Sequence, residues 1–216
     1  MTKQLITLAD PRSPAAEAYR TLYINLSFAS EGKPVQRLLI TSAETGEDKS
    51  STLANLAVVA AQMGQRVVVM DCDLRAPEQH ELFGVRNDTG LTALVGSKTG
   101  LAVALQNVTA VPGLRVLPSG PLPVSPSQVL AARRMDEIMA ELAQDADLVL
   151  VDAPPAAGVA DASVLATKVD GVLLVLNAGH SKRDQARRAK EALARVNAPL
   201  LGVVLINVAE SGGVLG

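Results

Sequence analysis

Five short aliphatic runs, Leu38 to Thr41, Val67 to Met70, Leu148 to Val151, Val172 to Leu176 and Gly202 to Ile206, show no alternation of apolar and polar positions. A strand with one wet face alternates, so runs that are apolar throughout predict strands covered on both faces of a parallel sheet. Leu114 to Leu117 is a sixth, weaker run. Segments with helical spacing lie between the strands, at 15–29, 50–63, 126–143, 161–169 and 184–196. This order predicts an α/β fold, a doubly wound and mostly parallel sheet with helices on both faces. Ligands in such sheets bind beyond the carboxyl ends of the strands, so the residues that follow each strand matter most.

Composition narrows the function. With 216 residues, 48% of them hydrophobic and 19% charged, the chain can bury a sizeable core, which excludes disorder as its main state. We expect one domain over 1–216, with a loop at 118–126 and a short, flexible, Gly-rich tail at 210–216. Aromatic residues are 2% of the chain and Trp is absent, so Ala, Val and Leu must build the core. Twenty Lys and Arg against 22 Asp and Glu give no electrostatic reason to bind nucleic acid. A lone cysteine, Cys72, excludes an internal disulfide and a cysteine-cluster zinc site, and its use fits a reducing cytoplasm. No stretch reaches the roughly 18 to 20 apolar residues of a membrane span, so contact with a membrane must come through a partner.

The first strand leads into Thr41-Ser42-Ala43-Glu44-Thr45-Gly46-Glu47-Asp48-Lys49-Ser50-Ser51 and then a helix. A strand, a tight loop and Lys-Ser opening a helix is the context of a phosphate-binding loop. Backbone N–H groups face the anion, the lysine reaches the outer phosphates and the serine hydroxyl ligates magnesium. The strict G-x-x-x-x-G-K-[ST] pattern fails twice, because Ala43 and Asp48 stand at the glycine positions. Asp71 and Asp73 follow the second strand, and Asp152 follows the Leu148 to Val151 strand. Carboxylates there are placed to hold hydrated Mg²⁺ or to accept a proton from an attacking hydroxyl. Cys72 reads as a small packed residue, His80 and His180 as surface or capping residues. The basic positions Lys182, Arg183, Arg187, Arg188 and Lys190 read as a solvated helix face that could also touch anionic headgroups.

Several segments in order resemble one family. They are Asp10-Pro11-Arg12-Ser13-Pro14-Ala15-Ala16-Glu17-Ala18-Tyr19-Arg20, the degenerate phosphate loop, Asp71-Cys72-Asp73-Leu74-Arg75-Ala76-Pro77, His80, Phe83-Gly84, Gly90-Leu91, Ser119-Gly120, Asp152-Ala153-Pro154-Pro155 and Asp161-Ala162. Together they are similar to the catalytic domain of the bacterial tyrosine kinases, autokinases that regulate capsule and exopolysaccharide synthesis. The resemblance implies a P-loop NTPase fold of the MinD and ParA type, with ATP and Mg²⁺ as cofactors. It implies that Thr45, Gly46, Glu47, Asp48, Lys49, Ser50 and Ser51 bind nucleotide, with Lys49 on the phosphates and Ser50 and Asp152 on magnesium. It also implies that Asp71 and Asp73 form the pair of which one assists deprotonation of the acceptor tyrosine. Residues 1–32 become a helical assembly element in which Glu17 and Arg20 help form a homo-oligomeric ring. The implied partner is the cytoplasmic tail of a membrane polysaccharide co-polymerase, with the chain at the inner face of the membrane.

Three departures from the family stand out. Asp48 replaces the glycine before the lysine; a carboxylate about 4 Å from a phosphate charge costs about 4 kcal/mol per charge at an effective dielectric of 20, a thousandfold in binding. The family's tyrosine-rich tail has no counterpart, since Tyr19 and Tyr23 are the only tyrosines. Tyr23 also falls where the ring element has its second arginine. An active kinase and a non-catalytic pseudokinase scaffold both stay open. A partition ATPase of the ParA or MinD kind is a further alternative, weakened because Ser42-Ala43-Glu44 lacks the second lysine of that group.

Overall fold

A computed structural model describes residues 4–29, 35–97 and 100–208. A short helix α1 (Ile6–Ala9) and the longer α2 (Pro14–Phe28) precede strand β1 (Arg37–Ser42), helix α3 (Lys49–Gln62) and strand β2 (Val67–Asp71). Three short helices follow, α4 (Gln79–Phe83), α5 (Leu91–Gly96) and α6 (Leu101–Ala104), then β3 (Gln106–Asn107) and β4 (Leu114–Leu117). Next come α7 (Pro126–Ala131), α8 (Arg133–Asp145), β5 (Leu148–Asp152), α9 (Asp161–Ala166), β6 (Gly171–Asn177), α10 (Arg183–Arg195) and β7 (Leu200–Ile206).

The strands form one seven-stranded sheet in the order β3-β4-β2-β5-β1-β6-β7, parallel except for the β3–β4 pair. Successive residues of each strand enter opposite cores. Leu38 and Ile40 belong to the core that α3 fills, whereas Leu39 belongs to the opposite core, to which α5, α7, α8 and α9 contribute. Burial on both faces is thus why the strands carry no polar alternation. Helix α3 is buried at nearly every position because α1 and α2 cover its outer side. Asn55 fixes that cover, its side-chain oxygen accepting from the Thr7 N–H at 3.1 Å and the Thr7 hydroxyl at 2.9 Å.

The topology places a crevice at the carboxyl ends of β1 and β5. These strands are neighbours, but the chain leaves β1 through α3 toward β2 and leaves β5 through α9 toward β6. Such a reversal opens the space in which doubly wound sheets bind ligands.

Two features depart from the sequence reading. The helix expected over 126–143 is two helices, broken where Ala132 is extended at φ −64° and ψ 142°. The halves have different tasks: α7 lies against α9, with the Ser127 hydroxyl donating to Asp161 at 2.5 Å, while α8 turns Met135, Ile138, Met139 and Leu142 into the core beside β5. The second departure is that α1, α4, α5, α6 and β3, each no longer than six residues, are too short to show a period. The expected 210–216 tail and the end of the 1–32 element lie outside the described residues; within them, residues 4–29 form α1 and α2.

Gly90 shows how closely the layers meet. A Cβ there would lie 2.3 Å from both the Gly120 nitrogen and the Pro118 oxygen, because the start of α5 docks on the chain leaving β4. The Leu91 and Thr92 N–H groups donate to the Pro118 and Ser119 carbonyls at 2.9 Å each. Gly90→Ala must push backbone from backbone, and we expect it to lower unfolding stability by about 1–3 kcal/mol or more, measured by urea denaturation.

Candidate nucleotide site

The loop after β1 is shaped by its own acidic residues. Glu47 is buried, and one carboxylate oxygen accepts the Ala43 N–H at 2.6 Å and the Glu44 N–H at 2.8 Å. The other oxygen accepts the Ser181 hydroxyl from the loop between β6 and α10, so Glu47 joins the first turn of the loop to the far side of the crevice. Gly46 takes φ +81°, and Asp48, just before α3, takes the left-handed conformation at φ 45° and ψ 27°. Asp tolerates that region better than most residues with a Cβ, so the backbone keeps a form that glycine would take freely.

Loop and helix enclose an inner cavity of about 100 Å³, lined by Thr45, Gly46, Glu47, Asp48, Lys49 and Ser50 together with Asp73, Ala76 and Glu78. A neighbouring cavity of about 340 Å³ shares Glu44, Thr45, Asp73, Ala76 and Pro155 with it, and is bounded further out by Arg75 and Arg188. Asp73 therefore stands where the two cavities meet.

Lys49 carries the electrostatics. Its ammonium lies 2.8 Å from Asp73 Oδ2 and 3.0 Å from Asp152 Oδ1, and it donates to the Ser50 hydroxyl at 3.1 Å. Burial works against the charge, yet Asp152 and Asp73 outweigh it and hold Lys49 above the ordinary lysine value. Behind this pair Asp71 and Asp152 sit side by side on β2 and β5, and both are fully buried. Burial, then the Asp152 charge, pushes Asp71 well above the usual carboxylate range. Asp71 Oδ2 accepts the Gln79 N–H at 3.0 Å, while Oδ1 has no hydrogen-bond partner.

The sequence-derived residues thus separate. Thr45 to Ser50 and Asp73 face the inner cavity; Ser51 is not among its lining residues, and its carbonyl accepts from the Asn55 amide at 2.8 Å. Asp71 and Asp152 lie behind the cavity wall. Glu17 and Arg20 lie on α2 and pair with each other at 2.7 Å, Arg20 also donating to the Pro11 carbonyl at 2.6 Å. Cys72 is packed in the core, where burial pushes its thiol up. Three contributors escaped the sequence reading. They are the Glu47 carboxylate as an internal acceptor, Ser181, and Gln79, and no local pattern marks any of them.

Among the described residues no set of three or more His, Cys, Asp or Glu forms a ready metal cage. The donors fit a cation that keeps most of its water and phosphate ligands. Ser50 offers a hydroxyl, Asp152 and Asp73 offer hard carboxylate oxygens, and the Lys49 ammonium already shows that these oxygens draw positive charge. A magnesium ion with nucleotide phosphates suits that set.

A P-loop NTPase family model of the ParA group, described as NUBPL iron-transfer, matches residues 34–210. The tyrosine-protein kinase YwqD of Bacillus subtilis is 40% identical over 95% of this chain and 86% of its own length. The chain belongs to the bacterial tyrosine-protein kinases. Solved structures agree. The kinase domain of the Escherichia coli tyrosine kinase ETK superposes with a TM-score of 0.91 at 30% identity, covering 99% of this chain and 84% of that one. The chimerical protein CapA2B2 gives a TM-score of 0.89 at 34% identity, covering 93% and 88%.

For this kinase-family chain the buried Asp71 carries a stability cost. Folding raises its pKa, so in and above the carboxylate range the folded chain holds a proton that the unfolded chain has released. Stability then falls as pH rises through that window. Asp71→Asn should raise the urea midpoint at neutral pH, measured without nucleotide or magnesium, and converge with the wild type at about pH 3, below the ordinary carboxylate value.

Proposed function

We propose that this chain binds MgATP in the inner cavity and transfers phosphate to a tyrosine on another polypeptide, in association with a membrane polysaccharide co-polymerase of capsule or exopolysaccharide synthesis. The observation that carries the reading is the meeting of the loop cavity, Lys49 and Asp73 at the mouth of the second cavity. When bound, MgATP supplies the phosphoryl group. Lys49 would turn from the aspartates to the phosphates, and Ser50 and Asp152 would hold the magnesium ion. Asp73, rather than the deeper Asp71, takes the acceptor hydroxyl proton, because only Asp73 of the two faces both cavities. Positioning and charge stabilisation do most of the work in such transfers.

Assembly is part of the proposal. Helix α2 presents Glu17, Arg20, Ile24 and Phe28 at helical spacing, with Ile24 48% and Phe28 81% exposed. An exposed apolar extension of the Glu17–Arg20 pair suits contact with a second copy. Within the described residues no helix is long and apolar enough to cross a membrane, which fits a membrane partner on a separate segment or chain.

Asp48 favours a second reading, a pseudokinase scaffold, since it lines the inner cavity with a carboxylate where phosphates would lie. Calorimetric titration of MgATP into the wild type and Asp48→Gly separates the two. We expect measurable wild-type binding and tightening in Asp48→Gly by up to about a thousandfold, the limit set by one carboxylate about 4 Å from a phosphate charge. Binding by Asp48→Gly alone would establish the scaffold, and no binding by either would end the nucleotide reading.

A further inference from the structure

Gln79 is the buried polar residue at the site to which neither the phosphate loop nor the aspartates assign a task. It opens α4, eight residues beyond Asp71, and its accessible surface is 0%. The chain between them folds back through a turn in which the Arg75 and Ala76 N–H groups donate to Asp73 Oδ1 at 3.3 and 3.1 Å. That turn returns the Gln79 N–H to Asp71 Oδ2 at 3.0 Å. The side chain then reaches across the base of the crevice. Its Nε2 donates to Asp152 Oδ2 at 2.7 Å and to the Ser50 carbonyl at 3.1 Å. One residue therefore joins the ends of β2 and β5 and the first turn of α3, the three elements that supply the site.

The chemistry of the two Asp152 oxygens gives this contact its consequence. Oδ1 faces the Lys49 ammonium, and Oδ2 takes the Gln79 amide. A lysine that moves to nucleotide phosphates leaves Oδ1 free, while a neutral carboxamide has no reason to follow. Gln79 then keeps the carboxylate plane fixed through Oδ2 and presents Oδ1 toward the Ser50 hydroxyl side. Both amide hydrogens already have acceptors, and the Gln79 Oε1 has no hydrogen-bond partner, so the side chain is held by its donor end alone.

We propose that Gln79 is a positioning residue for magnesium: by holding Asp152 and the Ser50 backbone in fixed relation, it sets the geometry in which these two residues take the ion. The inference rests on the MgATP reading and adds to it a residue that touches neither nucleotide nor metal. Outer partners of metal ligands typically govern affinity by 10 to 100-fold.

The test uses Gln79→Met, which keeps length and removes both side-chain donors while leaving the backbone N–H on Asp71. Nucleotide affinity is measured by calorimetry as a function of Mg²⁺ concentration and again in EDTA. We expect the half-saturating Mg²⁺ concentration to rise about tenfold or more, with affinity in EDTA unchanged. General damage to the fold would weaken both. In an Asp152→Asn background Gln79→Met should add less than it does in the wild type, because part of its effect travels through that carboxylate and only the tie to Ser50 is left to lose. Should Gln79→Met not fold, Gln79→Leu is held to the same outcomes. An unchanged Mg²⁺ dependence in a folded variant, an equal loss in EDTA, or a full further effect in the Asp152→Asn background overturns the proposal while leaving nucleotide binding intact. Absence of MgATP binding by the wild type and by Asp48→Gly overturns the underlying reading, and the assignment to magnesium with it.

Discussion

The site depends on one buried ammonium. Asp71, Asp73 and Asp152 would place three negative charges in and beside a region that water barely reaches, and carboxylates desolvated together are costly unless something opposes them. Lys49 opposes two directly, and Asp71, paired only through the Gln79 N–H, is instead pushed toward its protonated form. The group that satisfies the aspartates is also the one that would leave them for phosphate. Asp152 and Asp73 would then be left with uncompensated charge, and a divalent cation held there would supply the compensation.

The sheet makes this arrangement possible. Side-by-side register of Asp71 with Asp152, and of Ile40 with Asp152, brings the ends of β1, β2 and β5 to one level. The crossover through α3 carries the chain over β5, so Lys49 enters the crevice from the helix start while the two strand-end aspartates enter from below. Secondary ties keep the crevice walls in place: the Thr41 hydroxyl donates to the Pro154 carbonyl at 2.7 Å, and the Ala156 N–H to the Ser42 carbonyl at 2.8 Å. The rim residue Arg75 is held in turn by buried Asp161 at 2.8 Å, which also accepts from Ser127 on α7. Both faces of the sheet thereby contribute to the mouth of the site.

Much of this was legible in the amino-acid sequence, for identifiable reasons. Burial on both faces removed polar alternation from the strands and made their order readable. Lys49 stood out because a Lys-Ser pair opens a helix after a strand and a tight loop, and Asp73 and Asp152 because they lie at the ends of strands. What stayed hidden depends on contacts between distant residues. Gln79 lies among Glu78, His80 and Glu81, where one more polar residue signals nothing, and its two side-chain acceptors belong to other elements. The break at Ala132 has no proline or glycine to mark it, since it comes from two helices docking on different neighbours. Nor could spacing separate Asp71 from Asp73: they are two residues apart, yet one lies behind the cavity wall and the other at its mouth.

The phosphate loop carries acidic residues at consecutive positions, and the structure gives them opposite consequences. Glu47 turns its carboxylate onto the amides of Ala43 and Glu44 and the Ser181 hydroxyl, so its charge is spread over three donors and braces the loop. Asp48 lies at the helix start, where unpaired N–H groups attract a negative charge whether it belongs to a side chain or to a phosphate. Its charge also reaches the Tyr19 phenol on α2, which burial makes less acidic against the opposing hydrogen bond with Thr52, Asp48 adding to the effect of burial. The substitution therefore leaves the loop shape intact and acts on charge. It adds a negative charge at the start of α3, at the inner cavity and beside the helix that carries Glu17 and Arg20. Asp48 thereby links the start of α3 electrostatically to α2, which a glycine at this position could not do.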